Sequence, residues 1–271
     1  MAQRAILCPR CRRLIGSEET TCSWCGTSRS SSWWRFMNLT RGSMEGDWLI
    51  KAIITVNLLY FAISLILTYR TGGSQGSFSP GQTSLLLLGA TGTYPIDSLG
   101  RYWTVISANY LHGGILHIVF NLMAFYQIAP KVAAEYGTAR MFTIYTLGGV
   151  IGYVVSYFAG VPFTIGASAA VCSLIGSLLY YGKSRGGTYG SSVYREVSGW
   201  VISLFIFGLI FPGINNWAHG GGIIGGVLIS AIIGYSERRQ ENNLDRSLAL
   251  LCGLATIGVL MWALMKVNIF S

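Results

Sequence analysis

The chain has 271 residues and a mass of 29.4 kDa; 52% of its residues are hydrophobic, 11% are charged, the net charge is +9 and the mean hydropathy is +0.50. About 25% charged residues is usual for a soluble domain, so the composition excludes a disordered chain and argues against a soluble globular enzyme. The expectation is an all-α, polytopic membrane bundle, in which the 35 Gly would serve close helix packing.

The first 46 residues are polar and basic with no apolar core, so no cleavable signal peptide is expected. They contain four of the six cysteines, in the pairs Cys8/Cys11 and Cys22/Cys25. Each C-x-x-C turn can aim two thiolates at one ion, and two such turns supply the four soft ligands of tetrahedral zinc. Two disulfides and a rubredoxin-like iron site are the alternatives, and disulfides suit an oxidising compartment. With no spare ligand the zinc would be structural, supplying folding energy to a head too small for a core of its own. No cofactor for catalysis is expected. The head and its small polar linker occupy residues 1–32 and a juxtamembrane segment residues 33–46. Whether the head binds a protein partner or only solubilises the chain stays open.

Apolar blocks follow at roughly 48–68, 113–130, 141–160, 166–182, 198–211, 217–235 and 247–265, near the length that crosses a bilayer. They predict a six-helix core over residues 47–236 and a loop with a seventh helix over residues 237–271. With the amino terminus in the cytoplasm, all of the 19 Lys and Arg except Arg70, Arg101 and Lys266 fall on the inner side. This asymmetry sets N-in and C-out for an integral multi-pass protein. It also explains the net charge, so no nucleic-acid partner is expected. An N-in protein without targeting features points to a bacterial inner (plasma) membrane. A transporter or channel would predict charges within the spans, and essentially none follows Lys51. Cys172 and Cys252 lie in apolar spans and read as packing residues.

All three histidines lie in or beside the spans: His112 and His117 in HGGILHIVFN (112–121), and His219 in AHGGGIIGG (218–226). Polar groups in a bilayer core are costly, so they carry a functional hypothesis. His117 and Asn121 share one helix face. They serve either as interhelical glue or as two donors aimed at a developing negative oxygen. Gly166-Ala167-Ser168 opens the fourth span and leaves the Ser168 hydroxyl unobstructed. Gly222 and Gly226 form a GxxxG face on the sixth span. If that face meets the fourth span, His219 reaches Ser168 and can take its proton as general base.

Together these stretches resemble the rhomboid family of intramembrane serine proteases. HGGILHIVFN resembles the family's HxxxxHxxxN motif, Gly166-Ala167-Ser168 its GxS motif, and residues 218–226 its AHxxGxxxG motif. The resemblance spans residues 48–235 and implies a rhomboid-type six-span core, with one added carboxy-terminal span and a zinc-ribbon-like head. It implies that Ser168 is the nucleophile and His219 the base. His117, Asn121 and the Ser168 backbone N–H would form the oxyanion hole, with His112, Gly166, Gly222 and Gly226 in support. It further implies transmembrane protein substrates that enter from the lipid bilayer and unwind. Three departures stand out. Thr104 follows Trp103 where Arg is common, Ala169 stands where Gly is common, and Cys172 stands where Tyr or Phe often packs against the base. They leave open an alternative, a catalytically weak scaffold that binds transmembrane helices for quality control.

Overall fold

The computed structural model describes residues 5–7, 14–16, 18–24, 26, 28, 47–71, 78–211 and 213–270. The chain divides into two compact units, residues 1–48 and 49–271. In the first, strands β1 (Ala5–Leu7) and β2 (Leu14–Gly16) pair antiparallel, with Ile6 opposite Ile15 and Leu7 opposite Leu14. The Gly16 N–H donates to Glu19 Oε1 at 2.8 Å, and this bond holds the Glu19 carboxyl below its ordinary range. Cys22 is buried, and its carbonyl accepts from the Gly26 N–H across a turn in which Gly26 has φ +69°. Cys8, Cys11 and Cys25 lie outside the described residues. Among the described residues no cluster of His, Cys, Asp or Glu could hold a metal ion.

The second unit contains seven long helices: α1 (Asp47–Arg70), α2 (Ile115–Tyr136), α3 (Thr138–Phe158), α4 (Ser168–Arg185), α5 (Gly187–Ile210), α6 (Asn216–Ile233) and α7 (Asn243–Phe270). Six of them are long and apolar enough to cross a membrane; α4 is not among these. The sequence predicts seven spans, and the difference has a physical reason. Helix α4 is wrapped by α2, α3, α5 and α6 and buries most of its length. A helix surrounded by protein needs no lipid-facing apolar surface, so it can carry Ser173 and Ser177, whose hydroxyls donate to the carbonyls of Ala170 and Leu174.

Helix α5 begins eleven residues earlier than its apolar block because the Gly187–Ile210 helix starts with a polar turn. In its third turn Glu196 forms an ion pair with Lys131 of α2 at 2.5 Å. Between α1 and α2 the chain makes short helical turns at Gln82–Leu87, Tyr94–Ser98, Thr104–Ser107 and Ala108–Tyr110. The Arg101 guanidinium donates to the Leu86 carbonyl at 2.8 Å, and the Thr104 hydroxyl reaches Thr91 Oγ1 at 3.0 Å. These bonds fix the segment in which the family pattern departs at Thr104.

Charge does enter the helices beyond Lys51. Arg140, in the first turn of α3, is 1% exposed and donates to Asp245 Oδ2 of α7 at 2.7 Å. It also donates to the carbonyls of Arg239 and Gln240, while Glu241 accepts the Arg140 backbone N–H at 3.0 Å. The second Asp245 oxygen accepts from Arg239 at 2.6 Å. Charge-assisted bonds thus meet both Asp245 oxygens and the two terminal nitrogens of Arg140, leaving Arg140 Nε without a partner among the described residues, and they fasten α7 to the core. Removing one partner leaves an uncompensated buried charge, at a cost of about 3–5 kcal/mol. Asp245→Ala is therefore expected to lower unfolding stability in detergent by that order. Arg239→Ala, at the half-exposed partner, should cost about 1 kcal/mol or less. Equal effects in a denaturant titration would overturn this assignment.

Candidate active site

Helix α2 starts after the Gly113-Gly114 pair, which places His112 just before the helix and His117 in its first turn. His112 is fully buried, and the two imidazoles meet edge-on at 5.1 Å between ring centroids. His117 Nδ1 accepts the Gly113 N–H at 3.2 Å. In a neutral imidazole this assigns the proton to Nε2 and makes that nitrogen a donor. Nε2 faces the Gly166–Ser168 segment: a Cβ built at Gly166 would lie 2.7 Å from it and 3.6 Å from Ser168 Oγ. Gly166 has φ +127°, a conformation that favours glycine. Its lack of a side chain is what lets His117 approach the serine. Asn121 is buried one turn further along α2 and donates one amide N–H to the His117 carbonyl at 2.8 Å. Its second N–H is uncommitted among the described residues.

Ser168 is the first residue of α4 and is partly exposed. The first N–H groups of a helix have no partner within it, and the helix dipole adds partial positive charge there. The Ala167 N–H points toward His112 Nε2 at 3.5 Å, and the Gly166 N–H donates to the Ala108 carbonyl at 2.9 Å.

His219 stands in the first turn of α6, 7% exposed, with its backbone N–H donating to the Asn215 carbonyl at 3.1 Å. Asn215 caps this helix by accepting from the Ala218 N–H. Its own amide donates to Ser156 Oγ at 2.6 Å and Thr164 Oγ1 at 3.0 Å. His219 Nδ1 has no hydrogen-bond partner among the described residues. No hydrogen bond joins Ser168 to His219, but Ala169 and Ala218, their chain neighbours, lie in one packed cluster with Tyr153 and Ala108.

Helices α4 and α6 approach backbone to backbone. A Cβ at Gly222 would lie 2.3 Å from the Ala169 carbonyl oxygen, one at Gly226 1.9 Å from that of Ser173, and one at Gly176 2.1 Å from that of Ile223. Cys172 is buried at the same contact, its Cβ 3.1 Å from the position a Gly222 Cβ would take. Asn215, Thr164 and Tyr153 belong to none of the sequence motifs. The only available signal for Asn215 was an Asn just ahead of a glycine-rich apolar run, the pattern of a helix cap.

Residues 99–236, half of the chain, match the family described as Rhomboid domain. The protein named Rhomboid protease GluP from Bacillus subtilis is 28% identical over 210 residues, 78% of this chain and 41% of its own length. RHOMBOID-like protein 4 from Arabidopsis thaliana is 25% identical over 206 residues, 69% of this chain and 52% of its own length. RHOMBOID-like protein 7 from the same plant is 24% identical over 207 residues, covering 69% and 66%. The chain spans about half the length of the first of these relatives.

The close approach gives a test on one helix. Gly226→Ala forces a Cβ into the Ser173 carbonyl and should lower the melting temperature in detergent. Gly220, with nothing within 4 Å of a built Cβ, should accept Ala without loss. Neutral outcomes for both substitutions would exclude the α4–α6 contact.

Proposed function

This chain belongs to the rhomboid family, and from that premise we propose that it is an intramembrane serine endopeptidase that cuts transmembrane segments of other membrane proteins. The observation that carries the reading is His117: one ring nitrogen is tied to the Gly113 N–H, so the other is a donor beside Gly166 and Ser168. Ser168 Oγ attacks the scissile carbonyl while His219 takes its proton. The negative charge that develops on the carbonyl oxygen is met by His117 Nε2–H, the second Asn121 N–H and the Ser168 backbone N–H. His219 then returns the proton to the leaving amine, and water hydrolyses the acyl-serine by the same route. His219 Nδ1, without a hydrogen-bond partner among the described residues, supports a dyad rather than a triad.

The absence of a Ser168–His219 hydrogen bond favours a second reading, a scaffold that binds transmembrane helices without cutting them. Catalytic hydrogen bonds are often loose before substrate arrives, which supports the first. The discriminating experiment uses protein reconstituted in liposomes with a reporter transmembrane segment. Ser168→Ala and His219→Ala should each abolish cleavage, and His117→Ala should lower kcat by about 10²–10³. Cleavage surviving in both dyad variants would exclude the mechanism, and a silent wild type that still binds the segment would favour the scaffold.

We further propose that Cys8, Cys11, Cys22 and Cys25 bind a structural zinc that folds the head and takes no part in catalysis, and that the head is cytoplasmic. Burial of Cys22 at a tight turn between paired backbone segments supports a sulfur ligand held away from water. Replacing Cys8 and Cys22 by Ser should release metal, measured by elemental analysis, and leave cleavage in detergent intact. Loss of activity in a still-folded membrane unit would tie the head to catalysis instead.

A further inference from the structure

The Gly166–Ala167 peptide unit immediately before Ser168 is gripped from two sides. Its carbonyl accepts a hydrogen bond from the Tyr153 hydroxyl of α3. Its N–H points to His112 Nε2 at 3.5 Å. A trans peptide directs these two groups oppositely within its plane, so the bonds hold the unit at opposite edges. The unit needs such holding: Gly166, at φ +127°, has more backbone freedom than any other residue type would have there. A rotation of this plane would swing the Ser168 N–H and hydroxyl away from His117.

Tyr153 is 2% exposed, and its ring forms one packed cluster with Ala108, Ala169 and Ala218. It thus packs with the residue after the serine and the residue before the base. Its hydroxyl also lies 3.4 Å from the Ala108 carbonyl, which already accepts the Gly166 N–H. A phenol has one proton to donate, and the shorter contact, to Gly166, takes it. At residue 172 this chain has a buried cysteine, which supplies neither ring nor hydroxyl to the site.

We propose that Tyr153 is the positioning residue of the nucleophile: its hydroxyl fixes the Gly166–Ala167 plane, and its ring spaces the starts of α4 and α6, in place of an aromatic at residue 172. The proposal rests on the serine-protease reading above and goes beyond it by assigning a role on α3, a helix that carries none of the catalytic groups.

The test is Tyr153→Phe, which keeps the ring and deletes the hydroxyl. The full chain is reconstituted and given a reporter whose transmembrane segment has Gly and Pro near one end. Cleavage kinetics, the rate of Ser168 phosphonylation by a fluorophosphonate, and the melting temperature are measured, with Ser168→Ala in parallel. Misplacing a reacting group by a fraction of an ångström should lower kcat about 10- to 100-fold and leave KM within about twofold. Phosphonylation should slow in step, at a melting temperature close to wild type. The proposal is overturned by wild-type kcat, by a loss confined to KM, or by a folded fraction that phosphonylates at the wild-type rate. If Ser168→Ala is dead and Tyr153→Phe is normal, only the positioning role falls. If Ser168→Ala still cleaves, the protease reading falls with it.

Discussion

Two backbones touch where α4 meets α6, with the Cys172 side chain beside the contact. The carbonyls of Ala169 and Ser173 face Gly222 and Gly226, and the carbonyl of Ile223 faces Gly176 in return. Lipid tails are as apolar as any side chain, so hydrophobic burial does not drive such a contact. Dispersion between closely fitted surfaces does, aided by weak Cα–H···O interactions. Ser168 and His219 both stand in the first turn of their helices, so this contact sets their separation before any side-chain bond forms. Gly152 of α3 extends the same device: a Cβ there would lie 2.6 Å from the Ala218 carbonyl oxygen.

At the end of the bundle where α2, α4 and α6 begin, polar groups take over. Thr91 and Thr164 exchange backbone hydrogen bonds, and Thr164 Oγ1 accepts from Asn215, the cap of α6. The segment before α2, the segment before α4 and the start of α6 are thereby joined by bonds that cost little to keep in place once water is excluded. The histidines use the same logic, since His117 gains its orientation from a backbone N–H and not from a second side chain.

Much of this architecture is written in the chain order of the residues. Apolar blocks locate the long helices because the bilayer imposes a length, and the spacing of His112, His117, Asn121, Ser168 and His219 marks the candidate site, with His117, Ser168 and His219 in the first turns of their helices. Other features are not legible for definable reasons. The start of α5 is hidden because Gly187–Ile210 opens with polar and small residues, which over its first three turns reach water or an ion pair such as Lys131–Glu196. Helix α4 reads as a span from its apolar block at 166–182, yet its serines and glycines leave it less apolar than the other long helices, since protein surrounds it. Tyr153 carries no sequence signal, since its partner carbonyl belongs to a loop whose return path depends on the fold. Arg140, Arg239 and Asp245 read as loop charges, and their pairing across 105 residues is set only by tertiary structure.

That last pairing has a bearing on biogenesis. A nascent chain that has inserted α1 through α6 holds a guanidinium at residue 140 whose carboxylate, at residue 245, has not yet been synthesised. During that interval the arginine must stay hydrated, so the start of α3 cannot settle to its final depth. Docking of α7 and burial of that charge are therefore one event, and the start of α3 reaches its final packing only once α7 has been made.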